Sequence, residues 1–484
     1  MLSTDVDHAH LIAGDHIPSS DPREGIAVTD PATGEVIARV PAGTDADAEA
    51  AVRAARAAQL EWARRGASER AELLKAGARR LHDHAGELAE LQTRENGKPL
   101  DDSAGGVHAG IGAIEQYAEL GPVHRGRALA GGWEATDLMV FEPRGVVALL
   151  VPWNDPVAIA CGQLAAALVT GNTVVLKPSE KTPLTALRIA ELLDLPPGVL
   201  NVLLGDARAG RPLAAHPGVD CVMHTGSVAT GREVAAVTAG TGRKALLELG
   251  GKDALVVDDG VDPEWAAEQA ATGAFANAGQ ICTSVERVYV HEAVAERFLE
   301  ALAALACERR VGPGLEPGVQ MGPLIDEDQR RLVHRHVAEA VQAGAVILAG
   351  GEIPDGAGAF YPPTVLTGVD DSMAVMRDET FGPVAPVQVV ASFDAALAAA
   401  DATTFGLAAT VLTASQEHAQ KAWRELSVGT VKINAVFGGA PGGAAQPRRA
   451  SGSGFGFGPE LLDELTTTKV VHYAPARGMV SAKG

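Results

Sequence analysis

The sequence predicts an α/β protein built from two parallel-sheet units that meet near Glu248. Three observations lead to it. From Arg144 onward, apolar runs of strand length alternate with helical stretches, the pattern of βαβ units whose strands are covered on both faces. The chain has 484 residues, enough for two or three domains with large cores. Aromatic residues make up only 4% while Ala and Gly abound, so the interior packs through small side chains and close backbone contacts.

The elements follow in order. Residues 45–95 carry apolar positions at helical spacing, with Arg and Glu on the opposite face, and read as helices. Residues 145–151 form an apolar strand that stops at Pro152, and 157–169 a helix that stops at Gly171. Thr173–Lys177 is the next strand, and Pro183 opens a helix where its missing N–H costs nothing. The strand signal repeats at 199–204 and 221–224. Beyond Glu248, strands are predicted at Ala254–Val257, 288–290, Val384–Val390, Ala408–Leu412 and 429–433, with helices at 263–277, 293–306 and 415–426. Residues 438–458 are rich in Gly, Ser and Ala and read as a flexible loop holding Arg448 and Arg449. Thr466–Tyr473 alternates β-branched and polar residues, as an edge or partner-bound strand does.

A formal net charge of -21 argues against nucleic acid, whose phosphates need a basic face, and gives no attraction to anionic membranes. Cys161, Cys221, Cys282 and Cys307 show no CxxC spacing, which excludes a zinc knuckle or disulfide framework. Residues 1–30 are polar and acidic and lack the pattern of a signal peptide, and Pro, Gly or charge interrupts every long apolar run. A reducing cytoplasm is the expected location. Cys161, Cys221 and Cys307 lie within predicted elements and are expected in the core.

The chemistry centres on Cys282, in Gly279-Gln280-Ile281-Cys282-Thr283, and on Glu248, in Leu247-Glu248-Leu249-Gly250-Gly251-Lys252. A thiolate attacks an electrophilic carbon, and a carboxylate draws a proton from water. Cys282 sits at a helix-to-strand junction open to a substrate, although a free cysteine is equally at home as a small buried hydrophobe. Lys177-Pro178-Ser179-Glu180 follows a strand at the carboxyl edge of the predicted sheet, where ligands of open α/β sheets bind. There an ammonium and a carboxylate suit ribose hydroxyls, and Glu180 repels a 2′-phosphate; a solvated Lys and Glu on a loop is the other reading. The turn from Thr225 to Gly231 opens a helix and suits a pyrophosphate, but its spacing is not GxGxxG, and a plain strand-to-helix turn fits too. Asn154, in Pro152-Trp153-Asn154-Asp155-Pro156, either donates to a developing oxyanion or caps a helix. Glu379, in Asp378-Glu379-Thr380-Phe381-Gly382-Pro383, is a second ribose ligand or part of a surface turn.

Taken together and in this order, these segments resemble the aldehyde dehydrogenase superfamily from about Asp30 to Tyr473: Pro-Trp-Asn at 152–154, Lys-Pro-Ser-Glu at 177–180, Gly-Ser at 226–227 with Gly231, Glu-Leu-Gly-Gly-Lys at 248–252, Gly-Gln-x-Cys at 279–282, Glu-x-Phe-Gly-Pro at 379–383 and Gly-Thr-Val-x-x-Asn at 429–434. The resemblance implies a hydrolytic, non-acylating NAD(P)-dependent enzyme, with NAD favoured over NADP and no metal. Cys282 is then the nucleophile, Asn154 with the Cys282 N–H the oxyanion hole, and Glu248 the base that activates water against the thioester. Lys177 and Glu180 are implied for the adenosine ribose, Glu379 for the nicotinamide ribose, Ser227 for the pyrophosphate, and Trp153 beside the cofactor. Ser179, Gly226, Gly231, Leu249, Gly250 and Phe381 complete the implied cofactor set. The implied architecture is a Rossmann-like cofactor domain (1–120 and 140–248), an α/β catalytic domain (249–455) and a small β oligomerisation element (121–139 and 459–484) that makes a homodimer or homotetramer.

Several positions depart from the family pattern. Asp155 replaces an aromatic or apolar residue, which fits an entrance favouring a cationic or hydroxylated aldehyde, and equally a salt bridge or helix cap. His224 stands where Phe is common, Gly162 offers little bulk beside the expected tunnel, and Phe455 and Gly456 occupy the places of an Arg-Glu pair. Arg448 and Arg449 suit a substrate carboxylate, so a semialdehyde or hydroxyaldehyde ranks above a plain aliphatic one. The rivals are a CoA-acylating semialdehyde dehydrogenase, which usually lacks the acid at 248, a reductive enzyme acting on acyl phosphates, and a cofactor-binding scaffold without turnover.

Overall fold

The computed structural model describes residues 8–21, 25–438 and 443–476. The N-terminal end, the tip of the glycine-rich segment at 439–442 and the end of the C-terminal segment at 477–484 lie outside the described residues.

Two large sheets carry the molecule. In the first, hydrogen-bonded neighbours run Gly452–Ser453, Lys244–Glu248, Cys221–Thr225, Val146–Leu150, Thr173–Lys177, Leu200–Val202, His10–Ile12 and Asp15–Ile17. The five strands from Lys244–Glu248 to Leu200–Val202 are parallel. Val146–Leu150, Thr173–Lys177 and Cys221–Thr225 are buried at every residue. Helices cover both faces of such strands, which is why they read as unbroken apolar runs rather than alternating ones. Chain order reverses between Val146–Leu150 and Cys221–Thr225, which makes the carboxyl ends of these two strands the switch-point crevice.

The second sheet runs Val346–Ala349, Thr364–Thr367, Val384–Val390, Arg287–His291, Ala254–Val257, Ala408–Leu412 and Thr430–Ile433. It is parallel except for the Val346–Ala349 edge. A third sheet joins the hairpin of Arg127–Leu129 and Thr136–Pro143 to Thr466–Tyr473, which pairs antiparallel with Thr136–Pro143 along all eight residues.

Local chemistry fixes the helix starts. Residues 45–95 become three helices, Asp45–Arg64, Ala67–Asp83 and Ala85–Asn96. Thr44 and Asp47 close the first with a reciprocal capping box. Pro183 opens Pro183–Leu193, and the buried Glu95 carboxylate accepts the Leu184 and Thr185 N–H groups, which would otherwise be unpaired donors.

Two expectations are corrected. The segment 438–458 is not loop throughout: Gly452–Ser453 pairs antiparallel with Lys244–Glu248 at the sheet edge. Gly452 has φ 131°, and a Cβ there would overlap the Leu247 carbonyl, so only glycine lets the two backbones approach this closely. Cys307 is exposed, not core. Helix Glu292–Glu308 buries Ala295, Phe298, Leu302 and Ala306, and the next position turns away from that face. Cys161 and Cys221 are buried as expected.

Candidate active site

Cys282 is reached through a strained turn. Helix Pro263–Phe275 runs into Ala276–Gly279, where Asn277, Ala278 and Gly279 have φ of 50°, 55° and 72°. Left-handed backbone at Asn and Ala is costly and persists where surroundings over-determine it. Here they do. The buried Gln280 side chain donates to the Asn277 carbonyl (3.1 Å) and accepts from the Ile325 N–H (2.8 Å). The Asn277 carboxamide donates to the Asn154 and Gln280 carbonyls, both at 3.2 Å. A Cβ on Gly279 would collide with the Gly382 carbonyl, so this turn and the Gly382-Pro383 backbone that follows Phe381 are in direct contact.

Asn154 belongs to the same constellation. It is buried in the turn after Val146–Leu150, and its Nδ2 donates to the Gln280 carbonyl at 3.0 Å. Asn154 therefore lies against the Cys282 loop with a second amide proton to offer. It does not cap the following helix, Pro156–Val169, whose N-cap position is Asp155.

Glu248 ends its strand half-buried, and burial pushes its carboxyl up to about 8 against one opposing hydrogen bond from the Gly456 N–H. Glu379 is also pushed to about 8, by burial and then by the neighbouring Glu286 charge, while the Gly251 N–H (3.1 Å) works the other way. Beneath it lies a buried ion pair, Lys252 Nζ to Glu286 at 2.7 Å, with Glu286 accepting the Thr380 and Phe381 N–H groups at 2.8 Å. These charge-assisted bonds hold the 379–381 backbone against the sheet. A Cβ at Gly250 would stand 2.5 Å from the Glu379 Cδ, so a side chain there would push the Glu379 carboxylate from its place.

The half-buried Cys282 thiol is pushed up to about 12, first by burial and then by the charges of Asp253, Glu248 and Glu379. It is thus a protonated thiol in the ligand-free protein, and a positive charge brought beside it would restore its acidity. Lys432 is the nearby cation; burial lowers its pKa while Asp253 and Cys282 work to raise it.

The remaining sequence-predicted residues line the carboxyl edge of the first sheet. Lys177 ends its strand buried, with Nζ donating to the Pro178 and Gly205 carbonyls, and burial lowers it to about 8 against the charges of Glu180 and Asp206. Ser179 is buried, and its Oγ accepts from the Lys181 N–H. Ser227 caps helix Val228–Ala239. Gly231 faces Leu249, whose side chain leaves no room for a Cβ. Trp153 meets Phe381 edge-to-face at 5.4 Å and lies 5.6 Å from Lys181 Nζ. His224, the last residue but one of the Cys221–Thr225 strand, is buried against Gly226 and held near 4 by burial, with neither ring nitrogen in a normal hydrogen bond.

Asp155 forms a salt bridge with Lys98 at 3.5 Å. Arg449 is engaged by the Asp401 carboxylate (2.7 Å) and by the Asp401 and Thr403 carbonyls. Gly162 faces Ala113 of helix Leu100–Leu120 with space to spare. Sequence reasoning missed Asp253, Glu286 and Lys432. The only signal was their position beside the Glu248, Cys282 and 429–434 motifs; nothing in their spacing marks them as buried partners.

The model of the aldehyde dehydrogenase family matches residues 16–471. A 3-sulfolactaldehyde dehydrogenase of Pseudomonas putida is 39% identical over 421 residues, 86% of this chain and 87% of that one. A betaine aldehyde dehydrogenase of Cereibacter sphaeroides is 41% identical over 414 residues, 85% and 86% of the two chains. The crystal structure of a Staphylococcus aureus betaine aldehyde dehydrogenase in complex with NAD+ superposes with a TM-score of 0.94 at 32% identity, covering 98% of this chain and 96% of that one. With the matched motifs gathered at the joint edge of two parallel sheets, this chain belongs to the aldehyde dehydrogenase family.

Proposed function

We propose that this enzyme oxidises a small aldehyde to its carboxylic acid with NAD, through a thiohemiacetal and then a thioester on Cys282. What supports the reading is that the Asn154 amide binds the Cys282 loop at the Gln280 carbonyl and that the charges of Glu248 and Glu379 act on the Cys282 thiol.

The nucleotide fits the first sheet. The carboxyl ends of adjacent parallel strands lie there, and Lys177 and Glu180 at that edge suit ribose hydroxyls. The free N–H groups at the start of Val228–Ala239 suit the pyrophosphate. The orphaned ring nitrogens of His224 face that region, and Glu379 beside Gly250 suits the second ribose. Glu180 disfavours a 2′-phosphate, so NAD is preferred to NADP.

With the nucleotide's positive charge beside it, Cys282 gives its proton to solvent and attacks the carbonyl carbon as its thiolate, and the Asn154 amide with the Cys282 N–H holds the oxyanion. The bound nucleotide takes the hydride from that carbon. Glu248 then accepts a proton from water as the water oxygen bonds to the thioester carbon and the Cys282 sulfur leaves. Removing the amide by Asn154→Ala lowers kcat by about 10²-fold or more, the scale of one lost oxyanion donor; unchanged kcat would remove Asn154 from this role. Gly250→Ala displaces the Glu379 carboxylate and raises KM for NAD roughly tenfold or more, the scale of a lost hydrogen bond to a charged group, as steady-state titration with NAD reads.

We infer a nucleotide domain of residues 1–120 and 140–248, a catalytic domain of 249–455 and an association element of 121–139 and 459–484. Exposed Leu129, Trp133, Val470 and Tyr473 on the third sheet support a homodimer or homotetramer. No helix among the described residues is long and apolar enough to cross a membrane; a reducing cytoplasmic location suits four unpaired cysteines. The substrate class is a semialdehyde or hydroxyaldehyde. With Arg449 bound to Asp401, a carboxylate would fall to the exposed Arg448, and the hydroxyaldehyde is the better match.

The test is NADH formation at 340 nm over charged, hydroxylated and plain aldehydes, with product analysis with and without CoA. Free acid independent of CoA is expected. An acyl-CoA product would establish the acylating alternative, and silence across the panel the scaffold.

A further inference from the structure

We propose that Gly456 is a positioning residue for Glu248: the side chain missing at 456 is the seat in which the Glu248 carboxyl rests. The inference rests on Glu248 being the base, as proposed above, and adds where that base is kept.

Three observations carry it. A Cβ built on Gly456 would lie 2.5 Å from the Glu248 Cδ and closer still to its Cγ and Oε1, and these are the three nearest heavy atoms. The Gly456 N–H also works to lower the Glu248 carboxyl against the rise that burial causes. Gly456 is buried and its φ lies outside the left-handed region, so its own backbone would accept any L-residue; what excludes a side chain is Glu248 itself.

The seat is stiff. Leu249 N–H donates to the Ser451 carbonyl at 2.9 Å, and Glu248 pairs directly with Gly452. Phe455 N–H reaches the Glu464 carboxylate, which also binds Lys244 on the Glu248 strand. Strand and seat are therefore one fastened unit, and a Glu248 side chain expelled from it has to move as a whole. The carboxyl is parked there by packing over the Gly456 backbone rather than by a charged partner. The same segment is where this chain departs from the Arg-Glu pattern of its family, so the seat is a property of this sequence.

Gly456→Ala and Glu248→Ala, singly and combined, test it. In the native background, Gly456→Ala is expected to lower steady-state turnover about tenfold or more, part of the ~10²–10⁴-fold that a general base supplies. It also shifts the pH midpoint of turnover and lowers the thermal midpoint. In the Glu248→Ala background, where the colliding atoms are gone, the same substitution should change turnover and thermal midpoint by little, since coupling is what a double-mutant cycle isolates. Equal effects in both backgrounds, or none in either, would overturn the seat. Full activity of Glu248→Ala alone would remove Glu248 as the base; the thermal arm of the cycle would still decide whether it is seated on Gly456.

Discussion

Alanine at position 282 removes aldehyde oxidation, by about 10⁴-fold or more, the scale of deleting a catalytic nucleophile, while nucleotide binding persists. Binding is expected to survive because the residues proposed for the nucleotide lie on the first sheet and on the Glu379 segment, not on the cysteine loop. Mass spectrometry of enzyme quenched with aldehyde and NAD should find the acyl group on the peptide containing Cys282. Cys307 is the exposed thiol of the chain and the natural control; an adduct there with Cys282 clean, or turnover intact in the alanine variant, would end the mechanism. The ligand-free thiol sits near 12, so alkylation by iodoacetamide at neutral pH should be slow and should quicken when NAD brings positive charge beside the sulfur.

Glu248→Gln should separate the two halves of the reaction. One equivalent of NADH forms in a burst and turnover then stalls, with steady-state rate down ~10²–10⁴-fold. Acylation survives because the positive charge of the bound nucleotide restores the acidity of Cys282, whose proton then leaves to solvent rather than to Glu248. The pH dependence has a definite sign. Burial raises the Glu248 carboxyl to about 8, so the proton-accepting carboxylate forms only as pH climbs through that value. Thioester hydrolysis should rise with pH across it in the native enzyme and lose that limb in the glutamine variant. A pH-independent native rate, or a variant that turns over without a burst, would contradict the assignment.

The fold was legible where burial on both faces erased alternation. Thr173–Lys177, Ala254–Val257, Val384–Val390 and Ala408–Leu412 read as apolar runs and are strands with those bounds. Short edge strands were not legible. His10–Ile12 and Gly452–Ser453 join the first sheet through partners far away in sequence, and a two- or three-residue strand has no periodicity to detect. The candidate site was legible as motifs because Gly, Cys, Asn and Glu at fixed spacing describe turns and reactive groups. The forces that tune it were not. Glu286 precedes its strand like any surface acid, and only folding sets it against Lys252. Arg449 reads as a free cation until the fold brings Asp401 to it. Charge partners separated by tens to hundreds of residues leave no local signature.

The C-terminal return to the first sheet constrains how the chain is made. Leu461, Leu462 and Leu465 pack in the core of that sheet, the Leu465 carbonyl accepts from Asn172, and Gly452–Ser453 covers the Glu248 edge. A nascent chain on the ribosome has its nucleotide-side strands in place long before these last residues emerge. Until Gly452–Ser453 pairs with it, the uncovered edge is a template for pairing with other chains. Completion of the first sheet therefore waits for residues 452–465, and a chain cut near residue 450 is expected to leave the Glu248 edge open to such pairing.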